Sequence, residues 1–113
     1  MHEQIVVESL LALVLEEAEK AEASKILKIN IVVGELSGVL DEAVDFYFSF
    51  LSKDTIAAGA SLSFEHIPAK MRCRNCDTVF SPEEFDLHCP NCNERQVEIV
   101  GGRELYIESL EVE

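Results

Sequence analysis

Residues 73–92 read CRNCDTVFSPEEFDLHCPNC, and this stretch holds every cysteine of the chain. Two residues separate Cys73 from Cys76 and Cys89 from Cys92, and twelve lie between the pairs. Each Cys-x-x-Cys makes a tight knuckle that points two sulfurs at one ion. Two knuckles close a tetrahedron, with sulfurs ~2.3 Å from the metal if it is Zn²⁺. Four cysteines confined to one stretch of a 113-residue chain do not suit a disulfide framework, and two facing pairs do not suit a thioredoxin-type redox centre. Iron in a rubredoxin-like site would use the same ligands, so the spacing names the coordination more firmly than the metal. The knuckle region, 71–94, is too short to bury much of a core, so the metal must fold it.

Outward from the knuckles, the flanking chain shows two periodicities. Toward the N-terminus, Val7, Leu10, Leu11, Val14 and Ala18 form a helical stripe that predicts a helix over 4–21, with Glu8, Ser9, Ala12, Glu16, Glu19 and Lys20 opposite. Leu27, Ile29, Ile31 and Val33 alternate with Ile26, Lys28, Asn30 and Val32, predicting a strand over 25–35. A second helix is expected over 41–53, with Asp41 as N-cap or in the first turn and Val44, Tyr47, Phe48 and Leu51 on one face. The aromatic density there also permits a strand. Residues 61–67 read as a strand with Leu62, Phe64 and His66 on one side, ended by Pro68. After a bend at Gly101-Gly102, a last strand is expected over 103–112, with its alternation slipping near Ser109. The expected fold is α+β: a small, mostly antiparallel sheet with two helices packed on one face, and a zinc ribbon inserted between two of its strands. The body would comprise 1–70 and 95–113, and the ribbon 71–94.

Composition narrows the function. Hydrophobic residues make up 48% of the chain, enough for a core, and 22 acidic against 9 basic residues leave a net charge of −13. A nucleic-acid binder needs cations to displace phosphate counterions, so this charge argues against nucleic acid. Arg72, Arg74 and Arg95 lie near the knuckles, where their charge would offset the formal −2 of a Zn(Cys)₄ centre. No basic segment followed by an apolar run marks a secretory signal, and Leu10–Leu15 is too short to span a bilayer. With four thiols in a metal arrangement, the expectation is a cytoplasmic protein. No Ser-His-Asp arrangement, glycine-rich phosphate loop or paired catalytic acid stands out, so enzymatic turnover is not expected.

The chain starts Met1-His2-Glu3. The imidazole Nδ1 of a histidine at position 2, its own backbone nitrogen and the terminal amine all reach one metal ion, and the Glu3 amide nitrogen adds a fourth ligand. A plane of nitrogens favours Ni²⁺ or Cu²⁺ over tetrahedral Zn²⁺. On the residues alone this is a weak motif, and a polar residue at a frayed end is the plainer reading. His88, beside Cys89, and His66, on the apolar side of its strand, read more plainly as a neighbour of the metal site and an edge or core histidine than as ligands.

Taken together, Met-His-Glu at the start, Glu8-Ser9-Leu10, Val33-Gly34-Glu35-Leu36-Ser37, Ile67-Pro68-Ala69, the cysteine quartet and the ending from Glu104 to Val112 resemble the HypA/HybF family over essentially the whole chain. These are the nickel metallochaperones of NiFe-hydrogenase maturation. The resemblance implies a nickel-binding α/β domain with an inserted zinc ribbon. Nickel would be transient cargo held by His2 with the Met1 amine and Glu3 backbone, and zinc a structural ion held by Cys73, Cys76, Cys89 and Cys92. Asp41, associated through a loose local alignment with nickel delivery, and His88, through histidines linked to sensing beside family zinc sites, are candidate accessory residues. The implied partners are the GTPase HypB and the hydrogenase large-subunit precursor, with urease a further recipient in some organisms; a homodimer is left open. The competing reading is a zinc-ribbon interaction or regulatory module without nickel, and nickel binding that depends on His2 would separate the two.

Overall fold

The computed structural model describes residues 2–82 and 87–113, and of His2 the backbone alone. Along the chain it runs α1 (His2–Lys20), β1 (Ile26–Gly34), α2 (Asp41–Leu51), β2 (Ser61–Ile67), β3 (Lys70–Cys73), β4 (Val79–Phe80), β5 (Val97–Gly101) and β6 (Leu105–Val112). The strands form two three-stranded sheets, ordered β2-β1-β6 and β4-β3-β5. No helix among the described residues is long and apolar enough to cross a membrane.

The chain divides into two compact units. The first comprises 1–32, 38–65 and 106–113, and the second 33–37 and 66–105. The second is therefore wider than the ribbon of 71–94 that cysteine spacing marks out, and it draws one short piece from far upstream.

In the first unit the stripe of α1 is buried as its spacing predicts: Val7, Leu10, Leu11, Val14 and Ala18 all leave solvent. Val7, Leu10, Leu11 and Val14 meet Val44 and Phe48 of α2, Ile29 and Ile31 of β1, Leu62 of β2 and Ile107 of β6 around one apolar core. Ile29 and Ile31 share a face of β1 by the period of two, so both helices lie on the same side of the sheet. Each such aliphatic side chain contributes ~1.5–3 kcal/mol on burial, which outweighs the weak intrinsic preferences of these segments.

Chain reversals follow from specific backbone bonds. Helix α1 stops because Glu22 takes a left-handed φ of 55°. The Ala23 N–H then donates to the Ala18 carbonyl and the Glu22 N–H to Glu19, the paired bonds of a Schellman ending. Asp41 falls in the first turn of α2 rather than at its cap; Leu40 holds the cap position in an extended conformation. Glu113 N–H donates to Lys25 and Gly34 N–H to Glu104, so β6 runs antiparallel to β1. Ile26 N–H donates to Ile56 and Glu35 N–H to Ile67, partners that advance together, so β2 runs parallel to β1 after the α2 crossover. With β3 antiparallel to both β4 and β5, the strand pairings are mostly antiparallel.

Two details depart from the expected pattern, and the last strand keeps its expected end. Leu27 is 42% exposed although it shares parity with Ile29, while Ile26 is fully buried. The start of β1 is met by the segment before β2, through the Ile26 N–H bond to the Ile56 carbonyl. β6 continues past Ser109 to Val112. His66 is exposed on the edge strand β2, so it is an edge histidine and no part of the core.

In the second unit Gly34 and Gly102 bring two backbones into contact. The Gly34 N–H donates to Glu104 at 2.6 Å and the Leu36 N–H to Gly102 at 2.5 Å. A Cβ on Gly34 would lie 2.2 Å from the Gly102 oxygen and 2.6 Å from the Glu104 nitrogen, atoms of backbone that cannot swing aside. Gly102 itself has φ +107°, and a Cβ there would meet the Ala69 Cα at 2.8 Å. Gly34→Ala is expected to destabilise the protein by about 3 kcal/mol, in the upper range for overpacking. A shift in the guanidinium unfolding midpoint of metal-loaded protein checks this, and an unchanged midpoint refutes it.

Candidate metal centre

The second unit builds its site from two loops of the same design. Cys73 ends β3, paired with Val97 of β5, so the sheet fixes the first knuckle. The Asp77 N–H donates to the Cys73 carbonyl and the Cys73 N–H to the Thr78 carbonyl. In the second knuckle the Asn93 N–H donates to the Cys89 carbonyl and the Cys89 N–H to the Glu94 carbonyl. The two loops thus repeat one bonding pattern at the same offsets. The residue after each second cysteine is left-handed, Asp77 at φ 62° and Asn93 at φ 65°. Asp and Asn tolerate that region better than most side chains.

The four sulfurs lie within 4.8 Å of one another. Cys73 Sγ is 3.5 Å from Cys92 Sγ, and Cys76 Sγ is 3.5 Å from Cys89 Sγ, so the close approaches cross between the knuckles. Bonded sulfurs would stand at ~2.05 Å, so these are free thiols. A tetrahedron with ~2.3 Å metal–sulfur bonds has edges of ~3.8 Å, close to this spacing, so the donor set fits a four-thiolate ion such as zinc.

The thiols differ in surroundings. Cys73 and Cys89 are buried, and Cys76 and Cys92 half-buried. Loss of solvent pushes the Cys73 thiol up to about 11. The Thr78 hydroxyl, 3.1 Å from Cys76 Sγ, and then the Asn91 amide bring Cys76 down to about 6. The Asn75 amide, and then the Glu94 backbone, lower Cys92. Bound cations would favour the thiolate at all four positions.

The arginines near the knuckles each have a side-chain partner. Arg72 pairs with Glu98, and Arg74 Nε lies 3.6 Å from the same carboxylate. Arg95 Nε donates to His88 Nε2 at 2.8 Å. His88 also lines a surface hollow with Phe80, Ser81, Pro90, Asn91 and Asn93. The polar groups on the sulfurs are Asn75, Thr78 and Asn91, which sequence spacing did not single out.

The other candidate residues fall in the first unit. His2 is the first residue of α1 and Glu3 lies in its first turn. The Met1 amine lies outside the described residues. Asp41 begins α2.

Against known proteins, a profile described as hydrogenase/urease nickel incorporation, metallochaperone, hypA matches residues 1–112. A hydrogenase maturation factor HypA of Dehalococcoides mccartyi is 44% identical over 113 residues, covering all of this chain and 95% of that protein. The factor of the same name from Caldanaerobacter subterraneus is 43% identical over 114 residues, with both chains fully covered. The solution structure of the nickel metallochaperone HypA from Helicobacter pylori superposes with a TM-score of 0.69 at 31% identity, covering 99% of this chain and 97% of that one.

Proposed function

The chain belongs to the HypA family of hydrogenase nickel-incorporation metallochaperones, and from that premise we propose that it carries one Ni²⁺ at its N-terminus and hands it to a hydrogenase large-subunit precursor. The ligands in this reading are the His2 imidazole Nδ1, the Met1 amine and the backbone nitrogens of His2 and Glu3. What supports it most is the start of α1 at His2. The first four N–H groups of a helix have no carbonyl one turn back, so the His2 and Glu3 nitrogens can be given to a metal without breaking a helical bond. Asp41, in the first turn of α2, is an accessory candidate for nickel transfer.

The four cysteines hold zinc in this reading, as a structural ion. A closed four-thiolate set leaves no coordination position for substrate, so the centre maintains shape and performs no turnover. A HypB-type GTPase accompanies the delivery, and urease is a second recipient to examine. Recovery of neither the GTPase nor the hydrogenase precursor in a nickel-supplemented pull-down from the native cell would count against these partners.

The deciding experiment compares untagged protein with a version extended by a few residues before Met1. Equilibrium titration should find one equivalent of Ni²⁺ bound beyond the metal in the cysteines. The extension removes the amine from position and should weaken that binding. Absence of nickel binding by the untagged protein would defeat the proposal.

A further inference from the structure

Asn75 sits in the first knuckle, yet its side-chain amide donates to Cys92 Sγ of the second, at 3.5 Å. Asn91 sits in the second knuckle, and its amide donates to Cys76 Sγ of the first, at 3.6 Å. Both distances are ordinary for a nitrogen donor on sulfur. The recipients are the half-buried cysteines, while Cys73 and Cys89 are 0% and 1% exposed. Each amide therefore reaches across to a thiol that solvent can also reach. The third position of each Cys-x-x-Cys is asparagine, so one residue type at one offset makes both contacts.

We infer that Asn75 and Asn91 are a crossed pair of amide caps that protect the two accessible thiolates and set how fast the centre loses its metal. The inference rests on the four cysteines holding a metal. A donor on a thiolate withdraws electron density from sulfur, which makes it a weaker nucleophile and harder to protonate or alkylate. A direct cation would do this more strongly, but Arg72 and Arg74 are engaged with Glu98. Crossing adds a second effect. Each amide spans both knuckles, so opening either loop must break a contact to the other. Asn75 and Asn91 are thus positioning residues for the metal, acting through its ligands.

The crossing gives a test with an unusual signature. Metal-loaded full-length protein is treated with iodoacetamide, in which a thiolate sulfur displaces iodide and an S–C bond forms. Peptide mass mapping then identifies which cysteine reacts first. Asn75→Leu should accelerate alkylation of Cys92, in the opposite knuckle, by about tenfold, and Asn91→Leu should do the same at Cys76. Transfer of metal to a chromogenic chelator should quicken by about tenfold in each variant. Asn75→Asp and Asn91→Asp keep the shape but lose the donor. They should behave like the leucine variants, whereas a space-filling role would leave them like the parent. Cadmium-113 resonances of cadmium-loaded protein should move in all four variants. Alkylation accelerated within the same knuckle, or equally at all four cysteines, would overturn the crossed caps. Rapid alkylation of all four cysteines in the unvaried protein would instead defeat the metal centre on which they rest.

Discussion

Cys73→Ala is expected to strip the metal from the protein and unfold the second unit while the first stays folded. Cys73 is fully buried at the end of β3, where it both joins the ribbon sheet and supplies a sulfur. Three thiolates remain in the variant, and the fourth position opens to water. The second unit has little to fall back on: among the described residues its buried apolar set is Ala69, Met71, Cys73 and Cys89 together with Val33. At ~1.5–3 kcal/mol for each large side chain, that burial does not match the ~1–2 kcal/mol per residue needed to order its backbone. Structural zinc in small domains contributes ~10–16 kcal/mol of apparent binding energy, which is the difference between a folded and an unfolded ribbon. Metal analysis after gel filtration should find the variant empty. Amide exchange should rise across residues 66–105 and stay slow in α1. Full metal occupancy in the variant would refute the assignment, and protected amides in an empty variant would refute the dependence of folding on metal.

The second large effect belongs to the other end of the chain. His2→Ala should abolish tight Ni²⁺ binding and leave stability unchanged, because the first buried residue of the α1 stripe is Val7. Calorimetry of untagged parent and variant checks the first half, and thermal unfolding the second. Bound Ni²⁺ in a plane of four nitrogens is low-spin and yellow, and that band should vanish in the variant. Backbone nitrogens must lose protons before they bind, so nickel affinity of the parent should climb as pH rises and fall away in acid. Cu²⁺ should bind at least as tightly, following the Irving–Williams order, so selectivity in the cell depends on metal supply and partners. Unchanged affinity and spectrum in the variant would move the search to His66 and His88.

Much of the architecture was legible because it depends on period. The α1 stripe, the Ile29–Ile31 face of β1 and the bounds of β2 follow from apolar spacing alone, and the cysteine quartet from ligand spacing. Helix α2 was ambiguous for a reason the structure makes plain. Phe46 and Phe50 lie exposed on its outer side, Phe46 edge-on to Tyr47 and Phe50 beneath the Lys53 ammonium. They add aromatic density without taking part in the buried stripe. The ribbon strands β3, β4 and β5 were not legible, because four, two and five residues are too short to display a period. Their sheet is organised by the knuckle bonds around the four cysteines. The amide caps were hidden for another reason: Asn75 and Asn91 act across the fold, on cysteines 17 and 15 residues away. The repeated Cys-x-Asn-Cys was the one available signal. The close approach of Gly34 to Gly102 likewise joins positions far apart in sequence.

The discontinuity of the two units orders their completion on the ribosome. Residues 33–37 emerge early but belong with 66–105, and the first unit waits for its final piece, 106–113. Until that piece leaves the exit tunnel, β1 has one neighbour instead of two. All four cysteines are in solution before then. The four thiols are thus clear of the tunnel while the helical unit is still unfinished, and a metal bound by them would set the knuckles first.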